Sequence, residues 1–150
     1  MIQWEEKSFD DLTKEDLYAV LRLRSEVFVV EQDCVYQDLD NKDFASRHLL
    51  GWEADRLVAY MRVLPLGVES HTEGSIGRII VAGDYRGQGL GHELVDRGIA
   101  IYNRIVGPQY PIVIHAQSRL EKFYEQHGFV AATEPFMFEG LLHTIMRLEQ

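Results

Sequence analysis

Between residues 75 and 116 a β-rich run, a glycine-spaced bend, a helical stripe and a second apolar run follow one another, and that succession constrains the fold more than any other feature. Ser75 to Val81 is the β-rich run. Leu90, Leu94, Val95, Ile101, Tyr102 and Ile105 then form one stripe of a helix near 89 to 105, which Gly107 and Pro108 stop. Pro111 to Ala116 is a short strand, apolar until its end. A strand, helix, strand unit of this length places its two strands parallel, with a right-handed crossover.

The flanking segments decide what surrounds that unit. Ile2 to Phe9 reads as a first strand, and Thr13 with Asp16 forms a capping box ahead of a helix near 13 to 31, whose apolar face carries Leu17, Val20, Leu21, Val27 and Phe28 together with Arg24. After a polar stretch from Gln32 to Arg47, His48 to Glu53 and Leu57 to Leu64 read as a hairpin joined by residues 54 to 56. Leu120, Phe123, Tyr124 and His127 line a helix near 118 to 127, which Gly128 caps. Two strands near 129 to 138 and 143 to 149 turn at Glu139 and Gly140. The expectation is a single domain over residues 1 to 150 with a mixed α/β (α+β) fold: a central, mostly antiparallel twisted sheet, one parallel strand, helix, strand unit, and helices on both faces.

Composition narrows the function. A formal net charge of −9, with no cluster of Lys and Arg, argues against a nucleic-acid surface and mildly favours cationic small molecules. No apolar run approaches the roughly 18 residues of a membrane span, and the first residues, MIQWEEKSFDDL, are acidic where a signal peptide is basic, so no membrane role and a cytoplasmic location are expected. Cys34 is the only cysteine, which excludes an internal disulfide and any CxxC metal site; no metal is expected.

The bend YRGQGLGHELV carries the first chemical signal. A nucleotide P-loop needs Gly-Lys-Ser/Thr after the glycines, but His92 and Glu93 follow Gly91; a GxGxxG dinucleotide fingerprint needs glycine where His92 stands. What remains is an Arg86-x-x-Gly89-x-Gly91 turn between strand and helix. Its bare backbone can curl several N–H groups, backed by the helix dipole, onto one anion such as a pyrophosphate. The bland alternative is a tight turn that only packs helix against strand.

With a second motif after the next strand, the two stretches IGRIIVAGDYRGQGLGHELV and AQSRLEKFYEQHGF resemble the GNAT superfamily of acyl-CoA N-acyltransferases, whose phosphate loop is R/Q-x-x-G-x-G/A and whose late helix carries N-x-x-A-x-x-x-Y-x-x-x-G-F. The stretch LRLRSEVFVVEQDCVYQDLDNKD, with His48 and His143, is similar to the ElaA-like branch of that superfamily.

The resemblance implies acetyl-CoA as acyl donor and a small-molecule or peptide amine as acceptor. It implies that the backbone of Gln88, Gly89, Leu90 and Gly91, with Arg86 and Gly87 at the mouth, holds the pyrophosphate of coenzyme A. Ile79 and Val81 would pair with the pantetheine arm, Gln117 stands in place of the usual asparagine, and Tyr124 would protonate the departing thiolate; its bland alternative is a core tyrosine. Dimerisation is common in that superfamily, and the last hairpin offers an edge for a homodimer.

The acceptor side stays open. Many members use a strand glutamate as base, but Gly77 and Arg78 stand there, and arginine cannot serve. Glu31, His48, His115 and His143 are the candidates for the base, with Asp38 and Asp40 as binders of a cationic group. Arg24 either pairs with Glu31 or faces a substrate carboxylate. Cys34 reads as a half-buried loop thiol rather than a covalent acyl carrier. A non-catalytic acyl-CoA-binding regulator or interaction module is the alternative to an enzyme, and a longer acyl chain the alternative to acetyl.

Overall fold

The structure is a computed structural model and describes all residues from Met1 to Gln150. Its elements run β1 (Gln3–Ser8), α1 (Lys14–Arg24), β2 (Arg47–Glu53), β3 (Arg56–Leu64), β4 (Ser75–Val81), α2 (Leu90–Ile105), β5 (Ile112–Gln117), α3 (Glu121–Glu125), β6 (Val130–Ala131), β7 (Phe136–Phe138) and β8 (Leu141–Leu148). Strands β1 to β4 form one antiparallel sheet in sequence order; β5, β8 and β6 form a second, with β7 also paired to β8. The expected mixed α/β architecture is what the chain adopts.

Helices lie on both faces because β3 alternates. Met61 points at α2, so close that its Sδ occupies the space a Cβ on Gly98 would need. Tyr60 and Arg62 point the other way, toward α1 and the segment after it, where Arg24 and Asp43 approach them. Every residue of β3 beyond Arg56 is buried, as befits a strand covered on both sides. No helix is long and apolar enough to cross a membrane.

Three boundaries differ from the sequence expectation. The capping box forms, with the Asp16 N–H donating to Thr13 Oγ1 and the Thr13 N–H to Asp16 Oδ2, each at 3.0 Å. The helix it starts does not stay α to its end, however: from Ser25 to Glu31 it widens to a π-helix, which continues into i→i−5 bonds from Gln32 to Val27 (3.2 Å) and Cys34 to Val29 (3.1 Å). The strand expected over 129 to 138 is two short pieces, β6 and β7, with Thr133 between them donating no ladder bond but accepting the Ile145 N–H through Oγ1. The third helix is shorter, because residues 118 to 120 take a 3-10 turn before α3.

The two sheets touch at one point that sets up everything functional. Gly74 makes a single parallel bridge to Ile112, with the Gly74 carbonyl accepting the Val113 N–H at 2.9 Å. Tyr102 clamps the junction: its hydroxyl accepts from the Gly74 N–H (3.0 Å) and donates to the Pro111 carbonyl (2.9 Å). Only glycine fits at 74, since a Cβ would lie 2.4 Å from the Tyr102 ring. Beyond this bridge β4 and β5 pair no further and diverge.

A β-bulge on β4 marks the divergence. Tyr60 faces Ile80 and Arg62 faces Gly77, so Arg78 and Ile79 together oppose Met61. Arg78 takes φ +49°, a left-handed conformation that costs a side-chain-bearing residue about 1–2 kcal/mol. Such strain persists where surrounding contacts hold it. Here the Arg78 guanidinium is held by the Asp38 carbonyl at 2.9 Å and lies 2.8 Å from the Asp38 carboxylate.

Candidate active site

Where β4 and β5 part, a cleft of about 360 Å³ opens, walled by Ile79 and Gly77 on one side, Ile114, Ala116 and Gln117 on the other, and Leu120 and Tyr124 at its end. A wider, shallower hollow of about 850 Å³ lies on the outer face of α1 against the β2–β3 turn, lined by Lys14, Tyr18, Arg22 and Arg56, and holds no residue of the glycine bend or of the late helix.

The glycine bend follows the end of β4, beyond the cleft-lining Ile79. Gly89 caps α2 in a left-handed conformation, φ +82°, which turns the chain so that the backbone N–H groups from Gly87 through Gly91 have no acceptor within the chain. Gly91 lies between β4 and α3, where a Cβ would touch Phe123 at 3.4 Å and Val81 at 3.9 Å. Five successive free donors at the start of a sixteen-residue helix fit a doubly charged phosphate pair.

The strand edge fits an extended arm beside it. Because the Ala82 N–H donates to Val58 on β3, alternation turns the main-chain groups of Val81, and with them Ile79, toward the cleft. The Val81 carbonyl accepts Arg86 Nε at 3.0 Å, and Arg86 Nη1 reaches Glu31 at 2.8 Å. Arg86 thus latches the loop to the strand and to the helix end; an arm pairing with Val81 must displace this half-exposed side chain.

Tyr124 lines the cleft with 7% of its surface exposed. Burial pushes its phenol up to about 12, the positive charge of Arg119 opposing this weakly. It therefore stays protonated at neutral pH, and a thiolate formed in the same poorly solvated cleft would be the base that draws its proton. Gln117, at the end of β5, is held by Gln32 (3.2 Å) and Arg119 (3.1 Å).

The structure corrects several expectations on the acceptor side. Arg24 is wholly buried and spends its guanidinium inside the fold, donating to Asp38 Oδ2 (2.9 Å), Asp43 Oδ1 (2.7 Å) and the Asp38 carbonyl (3.2 Å). It meets neither Glu31 nor a substrate. Asp38 is equally committed, bound by Arg24, Arg78 and the Tyr36 hydroxyl (3.1 Å), so it is no site for a cationic acceptor. Asp40 borders the cleft, yet Arg62 holds both its oxygens, at 2.8 and 2.6 Å, which leaves no free carboxylate edge for a substrate cation.

Two base candidates fall with them. His48 is 1% exposed and both ring nitrogens are used: the Asp43 carbonyl can only accept, so Nε2 donates to it (2.9 Å), and Nδ1 accepts from the Tyr60 hydroxyl (2.6 Å). Glu31 stands at the phosphate loop, paired to Arg86, away from the acceptor end. His143 does line the cleft, as does His115. Cys34 also borders it, but its thiol donates to the Glu139 carbonyl at 2.7 Å and so is spoken for.

What the sequence reading missed is that Arg24, Arg62 and Arg78 form one clamp with Asp38, Asp40 and Asp43, fastening the polar stretch after α1 across the face of β3. The available signal was Arg24 on an apolar helix face; the acids that meet these arginines lie 14 to 40 residues away in the chain.

Comparison with known proteins agrees with this geometry. Residues 9–150 match the family described as acetyltransferase (GNAT) domain. Protein ElaA of Escherichia coli K12 is 38% identical, over 99% of this chain and 97% of its own length. The crystal structure of Escherichia coli ElaA superposes with a TM-score of 0.93, covering 99% of this chain and all of that one. An acyl-CoA N-acyltransferase from Pseudomonas aeruginosa superposes at 0.92, with 39% identity over 99% of each chain. By that family match and these full-length relatives, the chain belongs to the GNAT superfamily of acyl-CoA N-acyltransferases, in its ElaA-like branch.

Proposed function

We propose that this protein moves the acetyl group of acetyl-CoA to a primary amine by direct attack. The observation that carries the proposal is the run of five unpaired amides from Gly87 to Gly91 just beyond β4, the strand that walls the cleft in which Tyr124 stands. In this reading those amides hold the pyrophosphate, the cleft edge of β4 at Ile79 and Val81 orders the arm, and Gln117 borders it. The thioester then lies between the two strands, where a main-chain N–H of β4 stabilises the oxyanion that forms as the amine adds. Tyr124 gives its proton to sulfur as the carbon–sulfur bond breaks.

Direct transfer is preferred to an acyl-cysteine because the Cys34 thiol has a carbonyl and no base as its neighbour. The small cleft favours acetyl over long acyl chains. We further read the exposed Met137 and Leu142 of the β7–β8 hairpin as the edge of a homodimer, which sedimentation as a function of concentration tests.

One observation favours a non-catalytic acyl-CoA binder: Arg78, locked in the clamp, stands where many relatives carry a strand carboxylate. Release of free thiol from acetyl-CoA across a panel of amines separates the two. Turnover that drops in Tyr124→Phe supports the enzyme; calorimetric binding of CoA without turnover on any amine supports the binder. Running acetyl-CoA beside longer acyl-CoAs in that assay tests the acyl chain.

A further inference from the structure

An amine arrives mostly as an ammonium ion and cannot attack until it loses a proton, so the acceptor end of the cleft needs a group with a free lone pair. Only a few cleft residues qualify once existing bonds are counted. Asp40 is held by Arg62, Glu69 by Lys42 at 2.6 Å, and the Cys34 thiol faces Glu139. Glu139 carries a carboxylate at the exposed rim.

His143 is different. On β8 it lies directly opposite Gln117 of β5, and both side chains line the cleft. Its Nδ1 sits 2.9 Å from the carbonyl of Leu141, in the same strand. A carbonyl can only accept, so Nδ1 carries the hydrogen and the lone pair is left on Nε2. The fold thereby fixes Nε2 as the nitrogen that can take a proton. Phe138 packs edge-on against the ring at 5.7 Å and limits its rotation.

His115 adds a route outward. It lies diagonally from His143 on the same face of the β5–β8 pair, also borders the cleft, and is exposed to solvent. Its ring meets Phe138 at 6.5 Å, so one phenyl group braces both imidazoles. Although its outer edge reaches solvent, partial desolvation against the cleft wall holds His115 below the usual imidazole range, with the Glu69 carboxylate raising it and His143 and Lys42 lowering it.

We propose that His143 Nε2 removes the proton from the acceptor ammonium and that His115 carries it to solvent, an inference that rests on the acyl-transfer reading above. The protons balance. One ammonium hydrogen goes to His143 and then out. The neutral amine forms the new carbon–nitrogen bond; of its two remaining hydrogens one stays on the amide and the other restores Tyr124, which has given its own to the thiolate as the carbon–sulfur bond breaks. The products are the amide and free thiol, with one proton released.

The same inventory names the acceptor class. All three cations in the cleft wall, Lys42, Arg62 and Arg78, already hold carboxylates, so none is free for an acid group on the substrate. The acceptor is a primary amine that carries no acid group, not an α-amino acid.

Thiol release tests this with His143→Asn, His143→Gln and His115→Asn, each first shown to bind CoA with wild-type affinity so that a folding defect is excluded. Two amines of matched shape are compared, an ordinary alkylamine and trifluoroethylamine, which is already largely unprotonated at neutral pH. Both His143 variants are expected to lose about 10²-fold on the alkylamine and much less on the fluorinated amine, with His115→Asn losing less than either. A purely structural role would depress both amines alike. Equal losses on the two amines, or activity in the His143 variants within about twofold of wild type on the alkylamine, overturns the assignment. Faster turnover of an α-amino acid than of its decarboxylated amine overturns the acceptor class. No thiol release by the wild type on any amine instead sinks the acyl-transfer reading itself, a result distinct from the others.

Discussion

The two ends of the cleft are made of different material. The end proposed to hold the phosphates is backbone: five consecutive amides, a left-handed Gly89 and the start of one helix, all within a few residues of chain. The end proposed to take the acceptor is side chain: His143 from β8, His115 from β5, Arg62 from β3, Arg78 from β4 and Asp40 from the segment after α1, with Asp38 and Asp43 behind them. A backbone site has one chemistry, anion binding, and tolerates almost any side chain that permits its torsions. A side-chain site takes its chemistry from each residue separately and stands only while the elements bearing them stay fastened together.

That contrast is breakable. The largest effect is expected at the fastener: Asp43→Ala strips the buried Arg24 and Arg62 of a shared partner and costs about 3–5 kcal/mol of stability by chemical denaturation. A cost under about 1 kcal/mol would mean the clamp does not hold the acceptor wall. Next comes Tyr124→Phe, which keeps the packing and removes the only proton donor at the cleft end; thiol release is expected to fall about 10²-fold with CoA affinity unchanged.

At the phosphate end, Gly89→Val forces a β-branched residue to φ +82°, costing about 1–2 kcal/mol, and should weaken CoA binding about tenfold by calorimetry while leaving the acceptor end intact. Acid should loosen the acceptor side by degrees. Burial disfavours the charged form of His48 and holds it below the usual imidazole range. For Asp43, burial opposes the charge, but Arg24 and Arg62 outweigh it and hold the carboxyl below the usual range. The unfolded chain then binds more protons, so this stability is present above about pH 6.5, declines first as His48 is lost and then below about pH 4 as Asp43 is protonated. Thermal midpoints across that range check it; a flat profile breaks the claim. The smallest effect is Gln88→Ala, within about 0.5 kcal/mol and about twofold in CoA affinity, because only its backbone N–H is used. A larger loss would show that the loop is not a pure backbone site.

The same contrast decided what could be read from the residues alone. The strand, helix, strand unit around residues 75 to 116 was legible because local hydrophobic period and the crossover rule act within one short stretch. So were Thr13 with Asp16 at the head of α1 and the glycine bend, whose partners are their own neighbours. Arg24 was recognised as anomalous on an apolar face, but its partner was sought at Glu31, one or two turns on, and found at Asp38 and Asp43 across a fold in the chain. Glu31 turned instead to Arg86, because the π-helical turn re-aims the end of that helix. His48 and His143 were equivalent as letters; only the carbonyls beside them, from Asp43 and Leu141, show one ring used up and the other poised.

By itself the sequence determined the order of elements, the glycine bend and the tyrosine placed after β5, since each depends on residues close together along the chain. Only the tertiary structure decided which acids are consumed by arginines, which imidazole keeps a lone pair, and that β4 and β5 part beyond Gly74. Those outcomes depend on which groups meet across large separations in the chain, and hydrogen-bond capacity, once spent on one partner, is not available to another.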